Sequence, residues 1–297
     1  MVGWTHGPDA PGAAVSRTVD LGRQIIHYQE SGDGDPVVLI HGNPTSSFLW
    51  REVVPPVVRS GYRCLAMDLP GMGRSSKPGG DYPFRLHADA VDGFLDALGL
   101  ERVALVLHDW GVALGLDLLR RRPDRVRAIA FMEGHVHPIA TWDEFDEGGR
   151  ELFRTLRSED EGRRLVIDQN LFIEAVLPSG MRRRLSEAEM DAYRAPFVRP
   201  ADRDVIWRWV RSIPIAGEPP EMDATMRANR DALVASGIPK LLFHATPGAI
   251  IGPEAVAWFR DSLTNLTVVR LGDGLHFLPE DHGPTIGQAI ADWLGTR

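Results

Sequence analysis

Apolar residues fall into two rhythms along the chain. Short, nearly continuous apolar runs at residues 37–40, 64–67, 103–108, 126–132, 240–245 and 266–271, with a half-apolar run at 24–30, have the length and texture of strands buried on both faces. Between them, residues 86–98, 112–122, 254–262 and 285–294 carry the three-and-four spacing of amphipathic helices. Strands and helices taking turns in this way predict a mostly parallel sheet with helices on both faces. The rhythm breaks after Glu133. From about residue 135 to 211 the chain is charged, helical in period and rich in Phe and Trp, with no strand pattern; Pro219-Pro220 marks the return. The expected organisation is therefore an α/β core made of residues 1–134 and 213–297, with a helical cap of residues 135–212 inserted in it.

Charge narrows the partners. Lys plus Arg number 33 against 41 Asp plus Glu, a formal charge of −8. That balance argues against nucleic acid, whose binding rests on neutralising phosphate. The clusters Arg120-Arg121-Arg122 and Arg182-Arg183-Arg184 read as solvated helix faces. Cys64 is the single cysteine, so no intramolecular disulfide forms, and it lies in an apolar run where a buried thiol is expected. The first twenty residues hold no apolar leader core, and no stretch approaches the roughly 18 apolar residues of a membrane span. A cytoplasmic protein without a membrane partner is expected.

The segment Val103-Ala-Leu-Val-Leu-His-Asp-Trp-Gly111 carries the chemistry. A buried strand runs straight into a tight turn and a helix, with small residues at Gly111 and Ala113. This resembles the nucleophile elbow of α/β-hydrolases, in which a strained turn lifts one side chain above the sheet edge. Asp109 holds the nucleophile position, and Leu107 replaces the usual first glycine. A carboxylate there suits displacement at an sp³ carbon bearing a good leaving group, and it is ionised near neutral pH without a base. Its product is an alkyl ester, whose hydrolysis needs a base and an oxyanion hole.

His276, following the last strand in Gly-Asp-Gly-Leu-His276-Phe, stands where the hydrolase chain order puts the base. The loop after the strand at 240–245 contains no Asp, and its Glu254 reads as the first turn of a helix. Glu133, at the end of the strand 126–132, is the better acid to hold the histidine. The strand end Val38-Leu-Ile-His-Gly-Asn-Pro44 resembles the loop that donates one oxyanion-hole N–H, from Asn43; the other comes from Trp110, the residue after the nucleophile. The side chains of Asn43 and Trp110 each add an uncharged N–H donor, a pair suited to stabilising a departing halide.

Taken together, His41-Gly-Asn-Pro-Thr-Ser-Ser-Phe-Leu-Trp50-Arg51, His108-Asp-Trp-Gly111, Phe131-Met-Glu133, Leu185 to Met190 with Tyr193 to Phe197, Ile213 to Pro219, and His276-Phe-Leu-Pro-Glu-Asp281 resemble haloalkane dehalogenases of the Asp-His-Glu branch, from about residue 20 to the C-terminus. The resemblance implies an α/β-hydrolase fold with a mostly parallel eight-stranded sheet and helical cap. It implies Asp109 as nucleophile, His276 as base, Glu133 as acid, and Asn43 with Trp110 as the halide pair. Phe145, Phe153, Phe172, Leu177, Trp209, Val210 and Phe277 are expected to line an apolar pocket. The reactants would be a small halogenated substrate and water, the products an alcohol, a halide and a proton. No metal or cofactor is expected, and the assembly would be a monomer or small homo-oligomer. Val210 stands where these enzymes commonly have proline, Gly134-His135 where apolar residues are usual, and Thr246 where glutamate is typical. An epoxide hydrolase, which needs cap tyrosines as acids, and a Renilla-luciferase-like relative are the rival readings on the same scaffold.

Overall fold

The computed structural model describes residues 14–296. The first thirteen residues, which carry most of the expected leaderless start and open the expected core segment, lie outside the described residues. Eight strands form one sheet: β1 (Val15–Asp20), β2 (Ile25–Ser31), β3 (Asp35–Ile40), β4 (Tyr62–Met67), β5 (Val103–His108), β6 (Val126–Met132), β7 (Lys240–Pro247) and β8 (Leu266–Gly274). Their order is β1-β2-β4-β3-β5-β6-β7-β8. From β4 to β8 all neighbours run parallel, while β1 and β2 pair antiparallel at one edge.

Alternation along the central strands builds two cores. Val38, Ile40, Leu105, Leu107, Ile129 and Phe131 pack on one face, with α2 (Phe84–Ala97) and α3 (Trp110–Arg121). Val37, Leu39, Ala104, Val106, Met132 and Phe243 pack on the other, with α1 (Val54–Arg59) and the kinked C-terminal helix Leu278–Gly295. Burial on both sides explains why these strands read as unbroken apolar runs. Burial also pushes the Cys64 thiol well above its ordinary pKa, leaving it an inert core residue.

The order β4-β3-β5 places a winding reversal between β3 and β5, whose ends are in register at Ile40 and Leu107. Strand carboxyl ends at such a switch point leave a crevice where ligands bind. Between β6 and β7 the chain passes through the helices Glu147–Arg157, Glu187–Arg194 and Asp204–Ser212, joined by short 3-10 and π-helical turns, and several of their side chains reach over that crevice.

Outside residues 135–212, three strands or α-helices escape the sequence reading: α1, β1 and the helix Pro220–Ala235. Strand β1 is mostly exposed and lacks an apolar face, so its partner β2 and not its own pattern makes it a strand. The helix Pro220–Ala235 begins at the Pro-Pro pair expected only to mark a boundary; Pro220 opens its first turn, where a missing N–H costs nothing. Its buried residues Met222, Met226, Asn229 and Leu233 keep helical spacing, but a polar member and intervening charges blur the stripe.

Candidate active site

Asp109 joins β5 to α3 with φ 54° and ψ −124°. A non-glycine residue held there stores on the order of 1–3 kcal/mol of strain, which the surrounding packing must impose. The turn survives because its neighbours are small. A Cβ on Gly111 would lie 2.1 Å from the Ile40 carbonyl oxygen, so only glycine lets α3 start against β3. Leu107, where a glycine was expected, is accommodated one helical turn into α3: its Cδ1 would sit 2.4 Å from a Cβ at Gly115. The space that the elbow ordinarily gains in the strand is gained here in the helix.

The Asp109 carboxylate is enclosed, and its two oxygens have different surroundings. Oδ1 accepts the Asn43 backbone N–H at 2.6 Å, and the Trp110 backbone N–H also bonds the carboxylate. Oδ2 faces His276 Nε2 at 3.7 Å. Burial raises the Asp109 pKa above its ordinary value, with His276 and the two N–H groups working against that rise.

On its other side, His276 Nδ1 lies 3.7 Å from Glu133 Oε2. Burial disfavours the imidazolium, but Glu133 and Asp109 outweigh it and the His276 pKa is raised. Glu133 is itself fully buried, in a left-handed backbone conformation at the end of β6. The backbone N–H groups of Ala249 and Ile250 donate to its Oε2 at 3.0 and 2.8 Å, and that of Ile251 to Oε1 at 3.3 Å. The loop that lacks an acid of its own thus supplies the amides that hold one. Sequence reasoning saw the vacancy in this loop but not the donors, since backbone geometry leaves no residue-type signal.

Other positioning contacts were also missed. Buried His108 meets the His276 carbonyl oxygen at 2.9 Å through Nε2, and burial with the adjacent His276 keeps its pKa well below the ordinary value. The Gly180 carbonyl accepts the N–H groups of both His276 and Phe277, at 2.9 and 2.8 Å. The Asn43 side chain gives one N–H to the Ile206 carbonyl at 3.2 Å, which leaves its second amide hydrogen without that partner.

A cavity of about 280 Å³ opens above Asp109. Asn43, Asp109, Trp110 and His276 stand on its wall with Phe145, Phe153, Phe172, Val210 and Phe277. Leu177 and Trp209, expected there, lie outside it. Leu177 is wholly buried in the apolar cluster that also holds Met181 and Phe277. Trp209 lies behind Trp110, ring centroids 4.3 Å apart, and is covered on another side by His87 at the same spacing. Helix periodicity explains Trp209: it and Val210 are sequence neighbours on one helix, but only Val210 turns to the cavity. Ala113, His135, Val176, Ser179, Gly180, Ile213, Met226, Ala249 and Ile250 complete the wall.

Comparison with known proteins matches these features. The alpha/beta hydrolase fold family covers residues 35–283. A haloalkane dehalogenase of Mesorhizobium japonicum is 46% identical over 91% of this chain and 87% of its own. One from Sphingobium indicum is 44% identical over 93% and 94%. The chain belongs to the haloalkane dehalogenase family. The crystal structure of haloalkane dehalogenase DbeA from Bradyrhizobium elkani superposes with a TM-score of 0.92 at 41% identity, covering 95% of this chain and 98% of that one. DatA from Agrobacterium tumefaciens gives 0.89 at 35% identity, covering 95% and 97%.

Within that family the sequence departures acquire physical readings. A Cβ at Gly134 would lie 2.5 Å from Val112 Cγ2 and 2.7 Å from the Asp109 carbonyl oxygen, so here the acid's neighbour must be glycine for β6 to approach the elbow. Val210 lies one turn after Ile206, whose carbonyl serves the helix ladder as well as Asn43. Thr246 is exposed and pairs with Asp273, outside the cavity wall.

Proposed function

We propose that the chain hydrolyses haloalkanes to an alcohol, a halide and a proton through an alkyl ester on Asp109. One observation carries this reading: an enclosed, mostly apolar cavity ends on a carboxylate with one oxygen held by backbone N–H groups and the other beside a histidine. Oδ2 attacks the carbon bearing the halogen; the C–O bond forms as the carbon–halogen bond breaks, and the halide departs with the electron pair. The Trp110 indole and the free amide hydrogen of Asn43 receive it. Oδ1, already in the N–H cradle, becomes the ester carbonyl oxygen and then the oxyanion. That is the preorganisation an ester hydrolysis requires.

Ester formation also prepares the base. It removes the Asp109 charge, one of the interactions raising the His276 pKa, so the imidazole loses affinity for its proton when it must take one from water. Glu133 keeps the ring oriented and stabilises the imidazolium that follows. In this proposal residues 135–212 act as a cap that excludes bulk water, over a core of 1–134 and 213–297. A reducing, cytoplasmic setting suits a chain whose only cysteine is a buried thiol.

An epoxide hydrolase is not favoured. It would need an acidic phenol in the cavity, and no tyrosine is among the residues lining it; Tyr193 instead donates its hydroxyl to buried Glu280. Bromide release and acidification across a panel of bromo- and chloroalkanes test the reading. Steady turnover supports it, whereas turnover of epoxides alone, or light from coelenterazine without halide release, would sink it.

A further inference from the structure

Of the polar side chains on the cavity wall, one has neither a part in the proposed chemistry nor a partner among the described residues. Asn43, Asp109, Trp110 and His276 are all occupied by the reaction, and the Ser179 hydroxyl donates to the Val176 carbonyl at 2.9 Å. His135 remains. Among the described residues its ring nitrogens have no hydrogen-bond partner, yet the ring stands beside Phe145, Ala249 and Ile250 on the same wall. The residue is half-buried and its ring nitrogens are open to the cavity, so a ligand group there can complete a hydrogen bond with them.

Position adds to chemistry. His135, Phe145, Ala249 and Ile250 also line a second cavity of about 710 Å³, whose wall includes His137, Glu144 and Glu254. His135 therefore stands on the partition where the apolar chamber over Asp109 meets a larger and more polar one. The ring is also held neutral, its pKa brought down to about 4 by burial, with His137 and His276 acting in the same direction. A neutral imidazole offers one N–H donor and one acceptor nitrogen. Its matching group is a neutral hydroxyl, which can donate or accept. A carboxylate would gain no counter-charge from it and would share the cavity with the Asp109 carboxylate.

We infer that His135 forms a hydrogen-bonding subsite in the substrate cavity, so that haloalkanes bearing a neutral polar group, above all a hydroxyl, remote from the halogenated carbon are favoured over wholly apolar ones. The inference rests on the dehalogenase reading of Asp109 and deepens it.

Bromopentanol and bromohexane, which differ by a terminal hydroxyl against a methyl group, provide the test. With the wild-type enzyme, kcat/KM for bromide release is expected to favour the alcohol relative to a His135→Leu variant, whose ratio should fall by about five- to tenfold, the worth of one neutral hydrogen bond. His135→Leu should keep the wild-type circular-dichroism melt, which shows that the variant folds, and His135→Gln should retain the preference. An unchanged ratio in His135→Leu with bromohexane still turned over would overturn the subsite alone. Bromide release from neither substrate by the wild type would overturn the dehalogenase reading and the subsite with it.

Discussion

At the scale of single residues, Asn43 holds Asp109 Oδ1 through its backbone N–H, and in the proposed reaction its side chain, tied by one hydrogen to Ile206, offers the other to the leaving halide. Asn43→Ala keeps the first and loses the second. Alkylation of Asp109, followed by rapid quench, should slow on the order of a hundredfold, with ester hydrolysis little changed; equal slowing of both steps would contradict this division. Glu133 makes a pH prediction with a definite sign. It raises the His276 pKa, and His276 must be neutral to take a proton, so the rate rises with pH through that pKa. Glu133→Gln should move this ascending limb to lower pH while reducing the plateau, and a limb that stays in place would mean that Glu133 does not act on His276. Asp109, His276 and Glu133, which the structure brings together, could be picked out in the sequence because titratable side chains are unusual at a strand end. The supporting groups could not. Amides at 249–251, the Ile206 carbonyl and Gly180 act through the main chain, which every residue possesses.

At the scale of elements, the elbow depends on how closely α3 approaches β3. Gly111→Ala would place a methyl group against the Ile40 carbonyl, and backbone cannot rotate aside as a side chain can. A loss of about 2 kcal/mol or more in stability is expected by urea titration, with activity falling further than stability because Asp109 moves. An active variant with an unchanged midpoint would show that the turn has slack. The buried parallel strands were readable because both faces are apolar. Strand β1 and the helix Pro220–Ala235 were not, because the first owes its conformation to a neighbour and the second has a broken apolar stripe. Trp209 and Leu177 teach the same lesson about the pocket: an aromatic in the right helix is not thereby on the right face.

At the scale of the whole molecule, the inserted helices are clamped to the sheet layer by a buried polar network. Glu280, with a fully buried side chain, accepts Arg51 Nη1 and Nη2 at 2.6 and 2.7 Å, Arg183 Nη1 at 2.6 Å, and the Tyr193 hydroxyl. Arg51 also reaches Glu189 at 2.8 Å. Removing Arg51 leaves the buried Glu280 carboxylate with Arg183 as its remaining cation, so Arg51→Met should cost about 3 kcal/mol in a denaturant titration; a cost within experimental error would mean that Arg183 and water replace the guanidinium. Glu280 lies four residues beyond His276, so the network anchors the same segment of chain. The central claim is nevertheless covalent and is tested covalently. His276→Phe, mixed with a bromoalkane and digested, should yield a mass spectrum in which the peptide containing Asp109 carries one alkyl group and bromide has been released once per protein. An unmodified Asp109 peptide after bromide release, or an alkyl group on another residue, would contradict the account.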